Sequence, residues 1–138
     1  HKSYLKKTGR NKFSLNAQFF AKHTSGFSIF VSSQNPQFEE SVRLARLVAQ
    51  KLLSLGRVPS THHAEDLPSE GYKYIDPELG IYNSRFLVLR ETQMPAILIE
   101  VGMLGDCEDL QIISSAGFRR SFSLSLKRAI VEFFADRR

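Results

Sequence analysis

The sequence predicts a layered α/β fold, a mostly parallel sheet flanked by helices, and three observations carry that expectation. Two short apolar runs, residues 86–89 (Phe-Leu-Val-Leu) and 96–99 (Ala-Ile-Leu-Ile), are too short for helices and suit strands buried on both faces. Residues 27–32 alternate, with Phe27, Ile29 and Val31 on one face. Two longer stretches, 37–55 and 117 onwards, repeat apolar residues at helical spacing. A chain of 138 residues with 42% hydrophobic content suits one domain with its own core.

Taken in order, residues 1–25 show no clean period and read as a basic irregular arm or loop, and residues 26–138 as the body. The first 38 residues carry Lys2, Lys6, Lys7, Arg10, Lys12 and Lys22 and no acid, within a net charge of +5. Such an arm fits an anionic partner (a cell-wall polymer, a membrane surface or nucleic acid) or a solvated face. Gly26 opens the first strand, and residues 33–36 (Ser-Gln-Asn-Pro) make a turn. A helix then runs from about 37 to 55. Its apolar face is Phe38, Val42, Ala45, Val48 or Ala49, and Leu52, with Glu39 and Glu40 in the first turn, Lys51 in the last and Gly56 after it. Residues 57–84 hold Pro59, Pro68, Pro77, Gly71 and Gly80 and read mostly as loop. That loop contains His62 and His63, followed by Glu65 and Asp66. On extended backbone neighbouring side chains point opposite ways, so the histidines supply at most one metal ligand or one substrate hydrogen bond, or are simply exposed.

The runs at 86–89 and 96–99 follow as core strands. The second ends in Glu100, then Val101 and Gly102, where the backbone can turn freely. A carboxylate closing an apolar strand reaches solvent, pairs with a cation, or serves in a site at the strand's carboxyl end. Asp106 can cap a short helix over 108–114. The last helix presents Phe118, Phe122, Leu126, Ala129 or Ile130, and Phe133 to the sheet, with Arg119, Lys127 and Arg128 opposite. The single cysteine, Cys107, cannot form an internal disulfide, and no run approaches the ~18 apolar residues of a membrane span. No signal peptide, Gly-rich phosphate loop or zinc-finger spacing is visible in these residues. The chain starts at His1 rather than Met, so an upstream leader or domain is expected.

The segments Phe86-Leu-Val-Leu-Arg90 and Met94-Pro-Ala-Ile-Leu-Ile-Glu-Val-Gly-Met-Leu104, followed by Cys107-Glu108-Asp109, resemble the carboxyl half of zinc-dependent N-acetylmuramoyl-L-alanine amidases. These are peptidoglycan hydrolases of the bacterial cell envelope. The resemblance extends through residues 25–32, the helix at 38–55 and the segment 60–65, over about 24–135. It implies hydrolysis of the amide between N-acetylmuramic acid and L-alanine, with Glu100 as general acid/base beside a zinc-bound water. Arg90, His62 and His63 would line the same rim and contact substrate. Zinc is expected for the complete domain, but the family's His, Glu and His ligands precede the Gly-Phe-Ser-Ile-Phe strand. Phe13-Ser14-Leu15-Asn16 superficially matches the third-ligand strand with Asn for His; the preferred alignment makes residues 1–24 the loop after that strand and puts the ligands upstream of His1. The implied chain is therefore a C-terminal portion without the family's first strands, inactive by itself. Its implied partners are peptidoglycan and a regulatory envelope protein, in the periplasm or secreted, with no nucleic acid. The alternative is a non-catalytic envelope-binding module with a degenerate amidase fold.

Overall fold

The strand β1 (Ser28–Val31) is buried along its whole length, and the two faces of its pleat start two different cores. The computed structural model describes residues 25–64 and 73–136. Around β1 they form α1 (Phe38–Ser54), a 3₁₀ turn (His62–Ala64), β2 (Lys73–Asp76), β3 (Ile81–Asn83), α2 (Leu87–Glu91), β4 (Leu98–Glu100), α3 (Cys107–Ser114) and α4 (Ala116–Ala135). The arm expected over 1–25 lies, but for Ser25, outside the described residues, as do Glu65 and Asp66.

The four strands form one sheet in the order β2-β3-β1-β4. β1 and β3 run parallel, whereas β4 is antiparallel to β1 and β2 to β3. The α/β layering stands, but the described sheet is mixed rather than mostly parallel. The connection between β2 and β3 is only residues 77–80, too short for the crossover that parallel strands need.

On one face Phe27, Ile29 and Val31 pack with Ile81 against Val42, Ala45, Val48, Ala49 and Leu52 of α1, and Ala129 of α4 completes that cluster. The last helix was expected to cover the sheet; its principal neighbour is α1. Lys51 Nζ meets Glu132 Oε2 at 2.7 Å, and Arg43 Nη2 donates to the Phe133 carbonyl at 2.9 Å. On the other face Phe30 packs with Tyr82 and Leu89, flanked by Phe86, Ala96 and Leu98.

The helix expected at about 37–55 is α1, and Asp106 caps α3 by accepting from the Asp109 N–H at 2.9 Å. Of the element assignments, one fails and another is incomplete. Residues 86–89 are not a strand: Phe86 precedes the helix α2, whose first turn closes with Leu89 N–H and Arg90 N–H on the Phe86 carbonyl, both at 3.0 Å. Only Leu89 of α2 is buried, while Leu87 and Val88 are 65% and 66% exposed. A run of four apolar residues cannot distinguish two buried faces from one. The helix is fixed instead by Asn35, whose buried side-chain amide donates to the carbonyls of Leu89 (2.6 Å), Met94 (3.2 Å) and Thr92 (3.4 Å). Those carbonyls include ends that a short helix leaves without partners. The incomplete one is the stretch 57–84, expected mostly as loop, which also contains β2 and β3; Tyr74-Ile75 and Ile81-Tyr82 on either side of Pro77–Gly80 are the hairpin signal in the sequence.

Candidate active site

Glu100 is the last residue of β4, and its register partner on β1 is Ser28. Cross-strand partners share a face, so the carboxylate emerges on the Phe30 side of the sheet. Because β4 is antiparallel to β1, the carboxyl end of β4 coincides with the amino ends of β1 and β3. The usual site of a parallel sheet, at the carboxyl ends of its strands, is therefore at the opposite end from Glu100.

The chain returns to this end through residues 57–60. Phe27 N–H donates to the Val58 carbonyl at 2.9 Å and Ser60 N–H to the Phe27 carbonyl at 2.7 Å, so this stretch runs beside the start of β1. Gly26 permits the approach: its φ is +110°, and a Cβ there would stand 2.5 Å from the Val58 carbonyl oxygen. Tyr82 Oη then donates to the Ser60 carbonyl at 2.7 Å, and the Ser60 hydroxyl accepts from His62 N–H at 3.2 Å, which starts the 3₁₀ turn.

That turn delivers His63. Its Nε2 lies 3.0 Å from Glu100 Oε2, with the imidazole side chain 13% exposed and the carboxylate 37%. The ring stands edge-on to Phe30, with centroids 5.0 Å apart, and to Tyr82 at 5.7 Å. The imidazole is thus held by packing, and the carboxylate is reachable from solvent. His62 does not point away from its neighbour as extended backbone would require; a 3₁₀ turn has three residues per turn, and the two rings lie 5.0 Å apart. A half-exposed carboxylate hydrogen-bonded to an imidazole can take up, hold and return a proton.

Arg90 is not brought to this rim. α2 follows β3 through Ser84, whose N–H bonds the Val31 carbonyl at 2.8 Å, so the helix hangs from the carboxyl end of β1 and β3. The Arg90 guanidinium meets Glu91 Oε1 at 2.6 Å.

Two residues beside the site were missed. Arg57 and Asp109 form a buried ion pair, 5% and 2% exposed. Asp109 and Glu108 are neighbouring acids at the start of α3, and only the inward orientation of Asp109, which the sequence does not show, distinguishes them. Gly102 also has another reason than a free turn. It needs room, since a Cβ would lie 3.1 Å from Asp109 Oδ2 and 3.2 Å from Arg57 Nη2.

Comparison with known proteins bears on what this arrangement does. The family profile described as N-acetylmuramoyl-L-alanine amidase matches residues 14–132, most of the chain. The chain belongs to the N-acetylmuramoyl-L-alanine amidase family. The match to the amidase profile begins earlier than the expected residue 24 and takes in Ser14-Leu15-Asn16, which lie outside the described residues. The amidase fold is shared with the N-acetylmuramyl-L-alanine amidase Ami1 of Mycobacterium smegmatis, at 25% identity and a TM-score of 0.62, over 81% of this chain and 48% of that one. The apo form of Ami1 from Mycobacterium abscessus aligns at 24% identity and a TM-score of 0.61, over 80% and 48%, and shows the fold alone. The chain spans about half the length of these amidases. No curated protein sequence matches it.

The zinc implied by the resemblance asks for about three protein ligands and an open position. Among the described residues no group of three His, Cys, Asp or Glu side chains could hold a metal ion. The pair of Glu100 and His63 does not make such a set, so the described residues do not fit the ion.

Proposed function

We propose that this chain belongs to a peptidoglycan hydrolase that cleaves the amide between the lactyl group of N-acetylmuramic acid and L-alanine, with Glu100 as general acid/base. The observation that carries the reading is the half-exposed Glu100 carboxylate held at 3.0 Å from the packed His63 imidazole. Family membership supports the substrate class. In the forward step Glu100 accepts a proton from water as its oxygen attacks the carbonyl carbon. The same proton then passes to the leaving nitrogen of L-alanine as the C–N bond breaks. His63 orients the carboxylate and offers the substrate rim a second polar group beside His62. A zinc ion in the complete protein would need ligands beyond the described residues, and the steps above are those of this chain's own side chains. Peptidoglycan places the protein in the cell envelope, periplasmic or secreted, where an envelope protein could regulate it; among the described residues no helix is long and apolar enough to cross a membrane.

The test is Glu100→Gln, which keeps size and hydrogen-bonding capacity and removes the titratable group. In the complete protein, with zinc supplied, release of L-alanine-terminated peptides from purified peptidoglycan should fall roughly 10²-fold or more, while co-sedimentation with peptidoglycan and the melting temperature stay at wild-type values. Near-normal turnover by the variant removes Glu100 from the mechanism. A complete wild-type protein that, with zinc supplied, binds peptidoglycan but releases nothing supports the alternative, an envelope-binding module.

A further inference from the structure

β4 has three residues and pairs with β1 alone among the described strands, so the strand ladder by itself holds Glu100 weakly. We infer that the buried Arg57–Asp109 pair is the device that positions Glu100 against His63, an inference that rests on the acid/base reading of Glu100. Immediately beyond Glu100, the Val101 carbonyl accepts from Arg57 Nη2 at 3.2 Å and Met103 N–H donates to Asp109 Oδ2 at 2.8 Å. The same Oδ2 accepts from Gly26 N–H at 2.9 Å, while Oδ1 takes the Arg57 guanidinium. One carboxylate therefore ties the chain leaving β4 to the chain entering β1.

Arg57 holds the other partner. It opens the stretch that bonds to Phe27 and continues into the 3₁₀ turn carrying His63. The pair thus reaches both members of the Glu100–His63 contact, one through residues 101–103 and the other through residues 58–62. Gly102 passes close between Asp109 and Arg57: a Cβ there would sit 3.1 Å from Asp109 Oδ2 and 3.2 Å from Arg57 Nη2, so the pair would have to shift by a few tenths of an ångström to admit it. Asp109 is itself fixed, since its N–H is capped by Asp106 at 2.9 Å. A buried ion pair adds little net stability over apolar packing of the same volume. Its directional hydrogen bonds to three backbone groups nevertheless fix where the carboxylate stands, as a site within tenths of an ångström requires.

The test uses Asp109→Asn, which keeps shape and removes the charge, and Gly102→Ala, which wedges a methyl group between the segment and the pair while leaving both charges. Amide exchange at Gly26 and Met103 should rise at least about ten-fold in Asp109→Asn, while Ile29 and Val48 keep their protection. In both variants the nuclear Overhauser contact between the His63 ring and the Glu100 methylene protons should disappear. In peptidoglycan hydrolysis by the complete protein, with zinc supplied, kcat should fall at least about ten-fold with KM within about two-fold, the split expected when a transition-state interaction is lost. Retention of the His63–Glu100 contact and of kcat in both variants overturns the inference and leaves the pair a structural tie. If Asp109→Asn does not fold, Gly102→Ala decides alone. If the complete wild-type protein, with zinc supplied, hydrolyses nothing, the proposed function fails, and the Overhauser and exchange data still decide whether the pair sets the Glu100–His63 geometry.

Discussion

Replacing Tyr82 by Phe tests how the loop carrying His63 is held. Tyr82 is fully buried, and its hydroxyl donates to the Ser60 carbonyl at 2.7 Å and lies 3.1 Å from Tyr74 Oη. Deleting that hydroxyl loses one strong and one longer hydrogen bond, about 1–2 kcal/mol. For 138 residues the unfolding entropy makes 1 kcal/mol worth about 3–4 °C, so the variant should melt about 3–7 °C lower at pH 7. The difference should not persist at high pH. Burial, together with the Tyr74 hydroxyl, raises the Tyr82 pKa well above the ordinary phenol value of 10.0. A raised folded-state value means that stability present below the unfolded pKa is lost as pH rises through and beyond it. By pH ~11 the wild type has lost about 1.4 kcal/mol through this residue, and the Phe variant nothing. The two melting temperatures should therefore converge near pH ~11. Thermal melts followed by circular dichroism from pH ~7 to ~11 measure this directly. A gap that stays constant over that range would show the phenol ionising as freely in the folded protein as in the unfolded chain, refuting the buried anchor.

Asn35→Asp replaces the amide that donates to the Leu89, Thr92 and Met94 carbonyls with a carboxylate facing the same oxygens. It should cost about 3 kcal/mol or more at pH 7 and much less near pH ~3, because the folded-state pKa of the new carboxyl is raised and the penalty grows as pH climbs past about 3.9; equal melting temperatures of variant and wild type at pH 7 would refute the capping role. Gly26→Ala puts a methyl group 2.5 Å from the Val58 carbonyl oxygen at a φ of +110°, so it should lower the melting temperature by about 10 °C or more, and a shift under ~3 °C would show that residues 58–60 do not need that close approach.

The local chemistry of the chain was legible where one residue type has one use. Apolar residues at 3.6-residue spacing with acids in front and Gly56 behind specify α1 whatever it packs against, and Asp106 before Cys107 specifies a helix start. Glu100 closing an apolar strand marked itself as costly unless it had a use. Family motifs between residues 86 and 109 carried the family, because motif order survives without coordinates. Tertiary structure decided the rest. Whether Phe86-Leu-Val-Leu became strand or helix depended on Asn35, some fifty positions away, offering its amide to the helix end. Strand direction depended on connection lengths and on which edge β4 joined, and that placed Glu100 at the amino end of β1, away from Arg90. His63 reached Glu100, and Arg57 reached Asp109, across 37 and 52 residues of chain. Helical and strand periods report neighbours a few residues apart, so they fixed elements such as α1 and β1; contacts closed over tens of residues are set by packing, and they alone assembled the candidate site.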